Sequence, residues 1–239
     1  FMQKKIRIFL SERLEENKKI ILDKEQSHYI TNVMRLKSRD ELLLFNGIDG
    51  EFLGTVVGIE KKKITILLNQ KQKDQIKSSN ISLAFCLLKG QRLDLLIQKC
   101  TELGLKNFIP IISDHSIVRK INKSRLGKII IESCEQSDQL NVPPISDPLH
   151  LEDFAHSLKD EDKVLFADIE SKKNDLKQML KDKNKNYILF IGPEGDFSPK
   201  EREFILKNDK FNSFSLGENI LRSETAAISG LVLMNFLLN

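Results

Sequence analysis

The 239-residue sequence predicts a small β-barrel followed by an α/β domain built on a parallel sheet. Short strands bounded by Gly turns fill the first third of the chain, whereas strands alternate with helices after about residue 80. The polar segment 69–80 lies between the two patterns and has the composition of a linker. The sequence therefore indicates one domain at 1–72 and a second at 73–239.

The first domain is expected to contain four short strands and one helix. The helix runs from about Ser27 to Leu36 and has Ile30, Val33 and Met34 on one face. Turns at Asn46-Gly47 and Asp49-Gly50 separate the second and third strands. The strands are predicted at Ile6–Leu10, Glu41–Phe45, Phe52–Ile59 and Lys63–Leu68.

The second domain is expected to alternate five strands with five helices, an order that predicts a parallel sheet covered on both faces. The strands are predicted at Ile81–Leu88, Phe108–Ile112, Val164–Ala167, Tyr187–Ile191 and Phe211–Leu216. The helices are predicted at Gln91–Leu103, Lys123–Ser137, about Lys172–Leu180, from Pro199 and from about Ser223. The last one includes the nearly apolar run Ala226–Leu238, which is shorter than the ~20 residues of a membrane span and therefore predicts a buried or interface helix.

Charge is distributed unevenly along the chain. Residues 1–75 hold 15 Lys and Arg against 11 Asp and Glu, and residues 76–239 hold 23 of each. A cationic first domain favours nucleic-acid binding, although a solvated Lys-rich surface explains it as well. The candidate RNA contacts are Arg7, Arg35, Lys37, Arg39 and the basic turn Lys61–Lys63.

Cysteine and histidine usage argues against disulfides and metals. Cys86, Cys100 and Cys134 are widely spaced without a CxxC motif, and the four histidines show no ligand spacing, so buried thiols and no metal are expected. The charged N-terminal segment does not resemble a signal peptide, which predicts a cytoplasmic protein without membrane association.

Two strand-to-helix loops carry the strongest chemical signals. Ile191–Glu201 combines a Gly-Pro-Glu-Gly turn with a predicted capping box of Ser198 and Glu201. Leu216–Ala226 brings Arg222 to the start of a helix, where the helix dipole disfavours a cation. Either loop could be an ordinary turn. Two such loops at the carboxyl ends of one sheet favour a ligand site.

Phosphate-loop and dinucleotide fingerprints are absent, which counts against ordinary nucleotide enzymes. The ordered motifs instead resemble the RsmE family of 16S ribosomal RNA uracil-N3 methyltransferases, which are of the trefoil-knotted SPOUT class. The motifs are Arg7–Leu10, His28–Leu36, Leu44–Gly47, Lys89–Gly104, His115–Val118, Glu135–Ser137, Gly192–Phe197 and Leu216–Ala226. Departures from the family pattern are Asp196 in place of a third Gly, Glu218-Asn219 in place of Pro-Arg, and Gln139 and Asn141 in place of basic residues.

The resemblance implies a PUA-like RNA-binding barrel and a SPOUT domain with a C-terminal knot that binds S-adenosylmethionine. It also implies a homodimer that acts on ribosomal RNA or on the assembled small subunit during ribosome biogenesis. Arg222 would stabilise charge, and Glu194 and Glu224 are the candidate proton acceptors. The residues implied in cofactor binding are Ile191, Gly192, Pro193, Gly195, Leu216, Gly217, Asn219, Ile220, Leu221, Thr225 and Ala226.

Two alternatives belong to other functional classes. One is a knotted methyltransferase that acts on a ribose 2′-OH or a tRNA base. The other is a non-catalytic RNA-binding or ribosome-assembly protein, which would not bind S-adenosylmethionine.

Overall fold

The computed structural model describes residues 5–60, 63–172, 175–182 and 185–238. The chain forms two compact units, the first extending to Lys77 and including Cys134–Val142. The second comprises Ser78–Ser133 and Pro143–Asn239. The sequence-based division at 72–73 lies a few residues earlier and assigns all of 134–142 to the second domain.

The first unit is a five-stranded sheet in the order β1-β3-β4-β5-β2. β1 runs parallel to β3, and the other neighbouring strands are antiparallel. The strands are β1 (Arg7–Phe9), β2 (Lys19–Ile21), β3 (Glu41–Phe45), β4 (Glu51–Glu60) and β5 (Lys63–Lys73). All four predicted strands are confirmed. β2 was missed because it has three residues, of which only Ile20 is buried.

The predicted helix of this unit is in fact two short helical segments. α1 spans Lys24–His28 and is followed by a π-helical turn at Tyr29–Val33, in which the Met34 N–H donates to the Tyr29 carbonyl at 3.0 Å. The π turn takes one more residue than an α turn and rotates the side chains that follow it. Ile30 is therefore buried while Val33 is 57% exposed, so the predicted placement of both on one face was wrong.

The second unit contains a six-stranded sheet in the order β11-β9-β10-β6-β7-β8, and every neighbouring pair is parallel. The strands are β6 (Ile81–Cys86), β7 (Phe108–Ile112), β8 (Leu149–His150), β9 (Asp162–Ala167), β10 (Asn186–Ile191) and β11 (Phe211–Phe214). The predicted parallel sheet is confirmed. β8 was missed because it has only two residues.

Among the described residues, one helix follows each of these six strands. They are α2 (Gln91–Glu102), α3 (Lys123–Ser137), α4 (Leu151–Ser157), α5 (Leu176–Met179), α6 (Pro199–Lys207) and α7 (Ser223–Leu238). α4 was not predicted. The charged helix predicted at about 172–180 is helical over four residues only, with residues 173 and 174 outside the described part of the chain.

Both faces of the parallel sheet are covered, as predicted. Ile188 and Phe190 of β10 face one side and join an aromatic cluster in which the Phe190 and Phe197 ring centroids are 5.6 Å apart. Leu189 faces the other side and meets α7 at Gly230, where a Cβ would lie 2.7 Å from Leu189 Cδ2. The missing side chain thus allows α7 to lie close against the sheet.

α7 is buried on one face only. Ala227, Leu231 and Met234 are fully buried, whereas Leu233 and Phe236 are exposed, Phe236 to 81%. The predicted buried helix is thus confirmed for one face of α7, and the interface alternative stays a prediction for the other face. Among the described residues, no helix combines the length and apolar character needed to cross a membrane.

The three thiols are free and buried, as expected from their apolar surroundings. Burial raises the pKa of Cys86 and Cys100, and it raises the pKa of Cys134 to about 12. A thiol with such a pKa is protonated at neutral pH and is a poor nucleophile. The cysteines therefore belong to the core.

Candidate cofactor-binding and catalytic site

Three neighbouring strands of the second unit, β9, β10 and β11, end at the same edge of the sheet. In parallel α/β sheets ligands bind beyond the carboxyl ends of the strands. A cavity of about 510 Å³ lies at this edge and is lined by residues that follow each of the three strands. The volume is within the range of roughly 300–1,000 Å³ that is usual for small-molecule sites.

The cavity brings together most of the candidate residues of both loops. Those that line it are Ile191, Gly192, Pro193, Glu194, Leu216, Gly217, Asn219, Ile220, Leu221, Arg222 and Ala226. Gly195, Thr225 and Glu224 do not line it. Thr225 is exposed, and Glu224 is buried in the first turn of α7.

The first loop is folded against the sheet by Phe197. This side chain is only 6% exposed, and its ring lies 5.8 Å from that of Phe166. A Cβ on Gly192 would lie 2.8 Å from the Phe197 ring, so a larger residue would force the loop away from the core. The Ser223 hydroxyl donates to the Gly192 carbonyl at 3.2 Å and ties this loop to the start of α7.

Asp196 adopts the left-handed backbone conformation, with φ of +62°. Its carboxylate accepts a hydrogen bond from the Phe197 N–H at 2.7 Å, an arrangement that helps Asp to occupy a conformation usually left to Gly. The Asp196 carbonyl lies 3.1 Å from His115 Nδ1. The departure from Gly at this position therefore leaves the turn intact.

The predicted capping box at the start of α6 is confirmed. The Ser198 hydroxyl accepts from the Glu201 N–H at 3.3 Å, and the Glu201 carboxylate accepts from the Ser198 N–H at 2.9 Å. Two otherwise unpaired donors at the helix N-terminus are satisfied in this way. The box fixes the point at which the loop ends.

The second loop combines one required glycine with exposed side chains. Gly217 has a φ of +126°, a conformation that side chains other than Gly rarely adopt. Ile220 is 88% exposed, and Arg222 is exposed immediately before α7. The helix dipole disfavours an Arg at this end, so helix stability does not explain Arg222.

Glu224 is 7% exposed, and its Oε2 atom has no hydrogen-bond partner within the described part of the chain. An ionised carboxylate oxygen that is removed from water and left unpaired costs stability. Glu224 lies between Ser223 and Ala226, which line the cavity, but it does not line the cavity itself.

Glu194 is paired with a residue that the sequence analysis did not single out. Its carboxylate accepts a hydrogen bond from Arg92 at the start of α2, and both side chains line the cavity and are nearly half exposed. The pair neutralises the Glu194 charge, and Arg92 joins Arg202 and Arg222 as the third arginine that lines the cavity. Because α2 lies about 100 residues away in sequence, no local motif indicated this contact.

A second ion-pair network supports the wall formed after β9. The Arg202 guanidinium donates to both oxygens of Asp168 at 2.9 and 3.0 Å and to Glu170 at 2.8 Å. Burial alone would lower the pKa of Arg202, but the hydrogen bond and charge of Asp168, with the charges of Glu170 and Asp196, raise it. Arg202 is thus a permanent cation that holds this wall in position. The position of Asp168 at a strand end was the signal that could have identified it.

Three predicted RNA contacts are exposed in the first unit. Arg35, Lys37 and Arg39 follow the π turn, and both arginines have positive φ values, of 56° and 76°. The Arg39 N–H donates to the Val56 carbonyl at 2.8 Å, which fixes the loop backbone against β4. Of the predicted basic turn, Lys61 and Lys62 lie outside the described residues.

Arg7 is not an exposed RNA contact, and this prediction is corrected. Its guanidinium is buried, donates to Glu51 at 2.6 Å and lies 4.5 Å from the centre of the Phe45 ring. It also donates to the carbonyls of Cys134 at 2.6 Å and Gln139 at 3.2 Å. These contacts use the cation to hold the 134–142 segment within the first unit.

Of the two departures from the family pattern in this unit, Asn141 has a structural role through its side chain, whereas the Gln139 contact uses the main-chain carbonyl, which any residue supplies. The Gln139 carbonyl accepts from Arg7, and the Asn141 side chain accepts from Gln75 at 2.7 Å and donates to the Lys77 carbonyl at 3.3 Å. Asn141 therefore connects the segment to the end of the first unit. In the described part of the chain, no group of His, Cys, Asp and Glu side chains is arranged to hold a metal ion.

Comparison with known proteins identifies the family. A family model described as an RNA methyltransferase domain matches residues 75–235, and one described as an RNA methyltransferase PUA domain matches 22–69. The ribosomal RNA small subunit methyltransferase E of Rickettsia conorii is 36% identical over 234 residues, which cover 97% of this chain and 95% of the relative. The chain belongs to the ribosomal RNA small subunit methyltransferase E family. The resemblance inferred from the ordered motifs is thereby confirmed.

Two solved methyltransferase structures are similar over nearly the full length. The methyltransferase E of Neisseria gonorrhoeae, crystallised with S-adenosyl methionine, has a TM-score of 0.89 and 25% identity and covers 98% of each chain. A methyltransferase from Legionella pneumophila with the same bound cofactor has a TM-score of 0.87 and 28% identity, again over 98% of each chain. The fold of the methyltransferase E family therefore extends over both units of this chain.

Proposed function

We propose that this protein transfers a methyl group from S-adenosylmethionine to N3 of a uridine in 16S ribosomal RNA. The observation that carries the proposal is the cavity at the ends of β9, β10 and β11, which unites both loops of the family motif. A cytoplasmic location follows from such a substrate and stays a prediction. The assignment of RNA binding to residues 1–72 and of catalysis to residues 73–239 is likewise a prediction.

The residues of the cavity suit the cofactor. Apolar side chains of Ile191, Ile220 and Leu221 offer contacts for an adenine ring, and exposed loop backbone offers donors and acceptors for polar groups. At Gly195 and Gly217 a Cβ would meet no protein atom within 4 Å, so both positions leave open space beside the backbone. The cofactor, when bound, supplies an electrophilic methyl group on a sulfonium.

Methylation of uracil requires loss of the N3 proton. The negative charge that develops spreads to the ring carbonyl oxygens, N3 forms the new bond to carbon, and the carbon–sulfur bond breaks. Arg222 stabilises that charge, because a cation that lines the cavity lowers the energy of an anion that develops there. Glu224 is the stronger candidate for accepting the proton, since the Glu194 carboxylate is already engaged by Arg92.

RNA docking is assigned to the exposed cations of the first unit. Arg35, Lys37 and Arg39 lie on one fixed loop and can neutralise backbone phosphates. The PUA-type family match at 22–69 supports this assignment, since it includes the whole loop. We propose that the sheet of this unit closes as a barrel.

Two features of the second unit belong to the same proposal. The exposed apolar side chains of α7, Val232, Leu233 and Phe236, suit a homodimer interface. A C-terminal trefoil knot, in which the last part of the chain passes through a preceding loop, accords with the family fold.

Purified protein provides the decisive test of this function. Unmodified small ribosomal subunits, protein-free 16S RNA and labelled S-adenosylmethionine are incubated with the enzyme, and the nucleosides are analysed by mass spectrometry. The expected product is 3-methyluridine, formed with at least one of the two substrates. A 2′-O-methylated nucleoside would overturn the proposed position of methylation, and absence of both labelled product and cofactor binding would favour the non-catalytic alternative.

A further inference from the structure

Positive charge is concentrated in one segment of the second unit, although residues 76–239 have a net charge of zero. Residues 115–131 contain five Lys and Arg residues and no Asp or Glu, although residues 76–239 as a whole hold 23 of each sign. Four of these cations are exposed in the loop after β7 and in the first turn of α3. We name this surface the α3 basic patch; it consists of Arg119, Lys120, Lys123 and Arg125.

Only part of the patch is neutralised by acidic neighbours. Lys123 pairs with Asp147 at 3.1 Å, and Arg125 pairs with Asp94 at 2.6 Å. Arg119 and the neighbouring Lys120 are exposed and have no ion-pair or hydrogen-bond partner for their side chains in the described part of the chain. The first turn of α3 lacks acidic residues, so its cations oppose the helix dipole and do not stabilise the helix.

The loop that carries the patch is attached to the cavity described above. His115 Nδ1 lies 3.1 Å from the Asp196 carbonyl, in the turn that lines the cavity. The Ser198 hydroxyl donates to the Asp114 carboxylate at 2.6 Å, and the Asp114 N–H donates to Glu201 at 2.8 Å. The four residue steps from His115 to Arg119 can span at most about 14 Å, so the patch begins close to the cavity.

We propose that the α3 basic patch binds the phosphate backbone of the RNA strand that carries the target nucleotide. The patch contains no aromatic side chain for stacking, and its exposed apolar neighbour is Ile117, which is 88% exposed. Contacts of this kind orient the strand without reading its sequence. The inference rests on the proposed function in that it takes RNA as the substrate, and it gives the second unit a docking role of its own.

Neutralisation of the two unpaired cations tests the patch. The variant Arg119→Ala/Lys120→Ala is compared with Lys177→Ala/Lys181→Ala, which removes the same charge from exposed positions of the same unit near the start of β10. Affinity for protein-free 16S RNA is measured against salt concentration. The patch variant should bind on the order of tenfold more weakly, and its slope of log Kd against log salt should be shallower by about 1.5, since each lost phosphate contact removes roughly 0.7–0.9.

The remaining outcomes decide the proposal in either direction. Unchanged affinity for S-adenosylmethionine and an unchanged melting temperature in the patch variant would support a local loss of RNA contacts. Equal weakening in both variants, or wild-type binding by the patch variant, would overturn the inference. Loss of binding to assembled subunits with wild-type binding to free RNA would also overturn it, because a protein would then contact the patch. Nucleoside analysis of the wild-type product tests the proposed function separately.

Discussion

Arg222 is a cation at the end of a helix where the dipole opposes it, and it lines the cavity at the sheet edge. We expect Arg222→Ala to keep the fold and the affinity for S-adenosylmethionine and to lower kcat by about 10²–10³, the cost of removing one group that stabilises developing charge. Single-turnover methylation and calorimetry measure the two quantities. Arg13→Ala, which removes an exposed Arg that pairs with Glu15 in the first unit, is the matched control, and full activity of Arg222→Ala would contradict the assignment.

Glu224 and Glu194 differ in their surroundings, and this difference separates the two candidate bases. Glu224 is buried with an unpaired oxygen, whereas Glu194 is half exposed and paired with Arg92. We expect Glu224→Gln to lower kcat by roughly 10²–10⁴, as for loss of a general base, without lowering the melting temperature, because a desolvated charge is removed. Glu194→Gln should change mainly KM and leave kcat nearly unchanged, because Arg92 then loses the carboxylate with which it pairs. The reverse order of the two kcat effects would transfer the role to Glu194.

The packing of helix α7 against the sheet requires a glycine at position 230, where the helix contacts Leu189. Helix α3 also contains a glycine, Gly127, but its packing does not require one. A Cβ at Gly230 would lie 2.7 Å from Leu189 Cδ2, whereas a Cβ at Gly127 of α3 would meet no atom within 4 Å. We expect Gly230→Ala to lower the free energy of unfolding by about 1–3 kcal/mol through overpacking. Gly127→Ala should raise it by about 0.5–1 kcal/mol, because Ala is the better helix former. Denaturant titration measures both, and equal signs would refute the packing argument.

Long elements with a regular apolar pattern could be predicted from the sequence, and short ones could not. β10 and α2 have enough residues for their periodicity to be visible, and both were found. β2 and β8 have three and two residues, and only pairing with a neighbouring strand defines them. The π turn at Tyr29–Val33 depends on one shifted hydrogen bond, for which the sequence carries no distinct signal.

The candidate site was predictable where its residues lie in one loop and not where distant segments meet. The Gly192 and Gly217 loops each carry a local signature of turn and helix start. Arg92 reaches the cavity from a helix about 100 residues away in sequence, so its pairing with Glu194 required the fold. Arg7 shows the opposite case, since a cation expected at the surface is buried beside Glu51, a carboxylate 44 residues away.

The two-domain division of the sequence is simpler than the organisation of the molecule. Because Cys134–Val142 belongs to the first unit, the chain passes between the units at 77–78, at 133–134 and at 142–143. Truncation at residue 76 would separate Arg7 from the carbonyls of Cys134 and Gln139 that it binds. RNA binding by the first unit is therefore best tested by point variants in the full chain.

Exposed positive charge is present on both units, although the net charges of the two sequence segments place it in the first. The first unit presents Arg35, Lys37 and Arg39, and the second presents the α3 basic patch. Two weak sites that engage one RNA molecule bind it more tightly than either site alone, because the second contact forms at a high effective concentration. The small net charge of +4 is thus compatible with substantial RNA affinity.

Combining the two sets of substitutions tests whether one RNA molecule engages both units. We expect Arg35→Ala/Arg39→Ala and Arg119→Ala/Lys120→Ala each to weaken binding to 16S RNA, with slopes of log Kd against log salt that become shallower by about 1.5. The four-site variant should lose the sum of the two slope changes, about 3, because each set removes different phosphate contacts of the same complex. Binding is measured by titration of labelled RNA, with thermal melting to verify the fold. If the four-site variant binds 16S RNA as tightly as the two-site variant with the lower affinity, the two surfaces do not act on one RNA molecule.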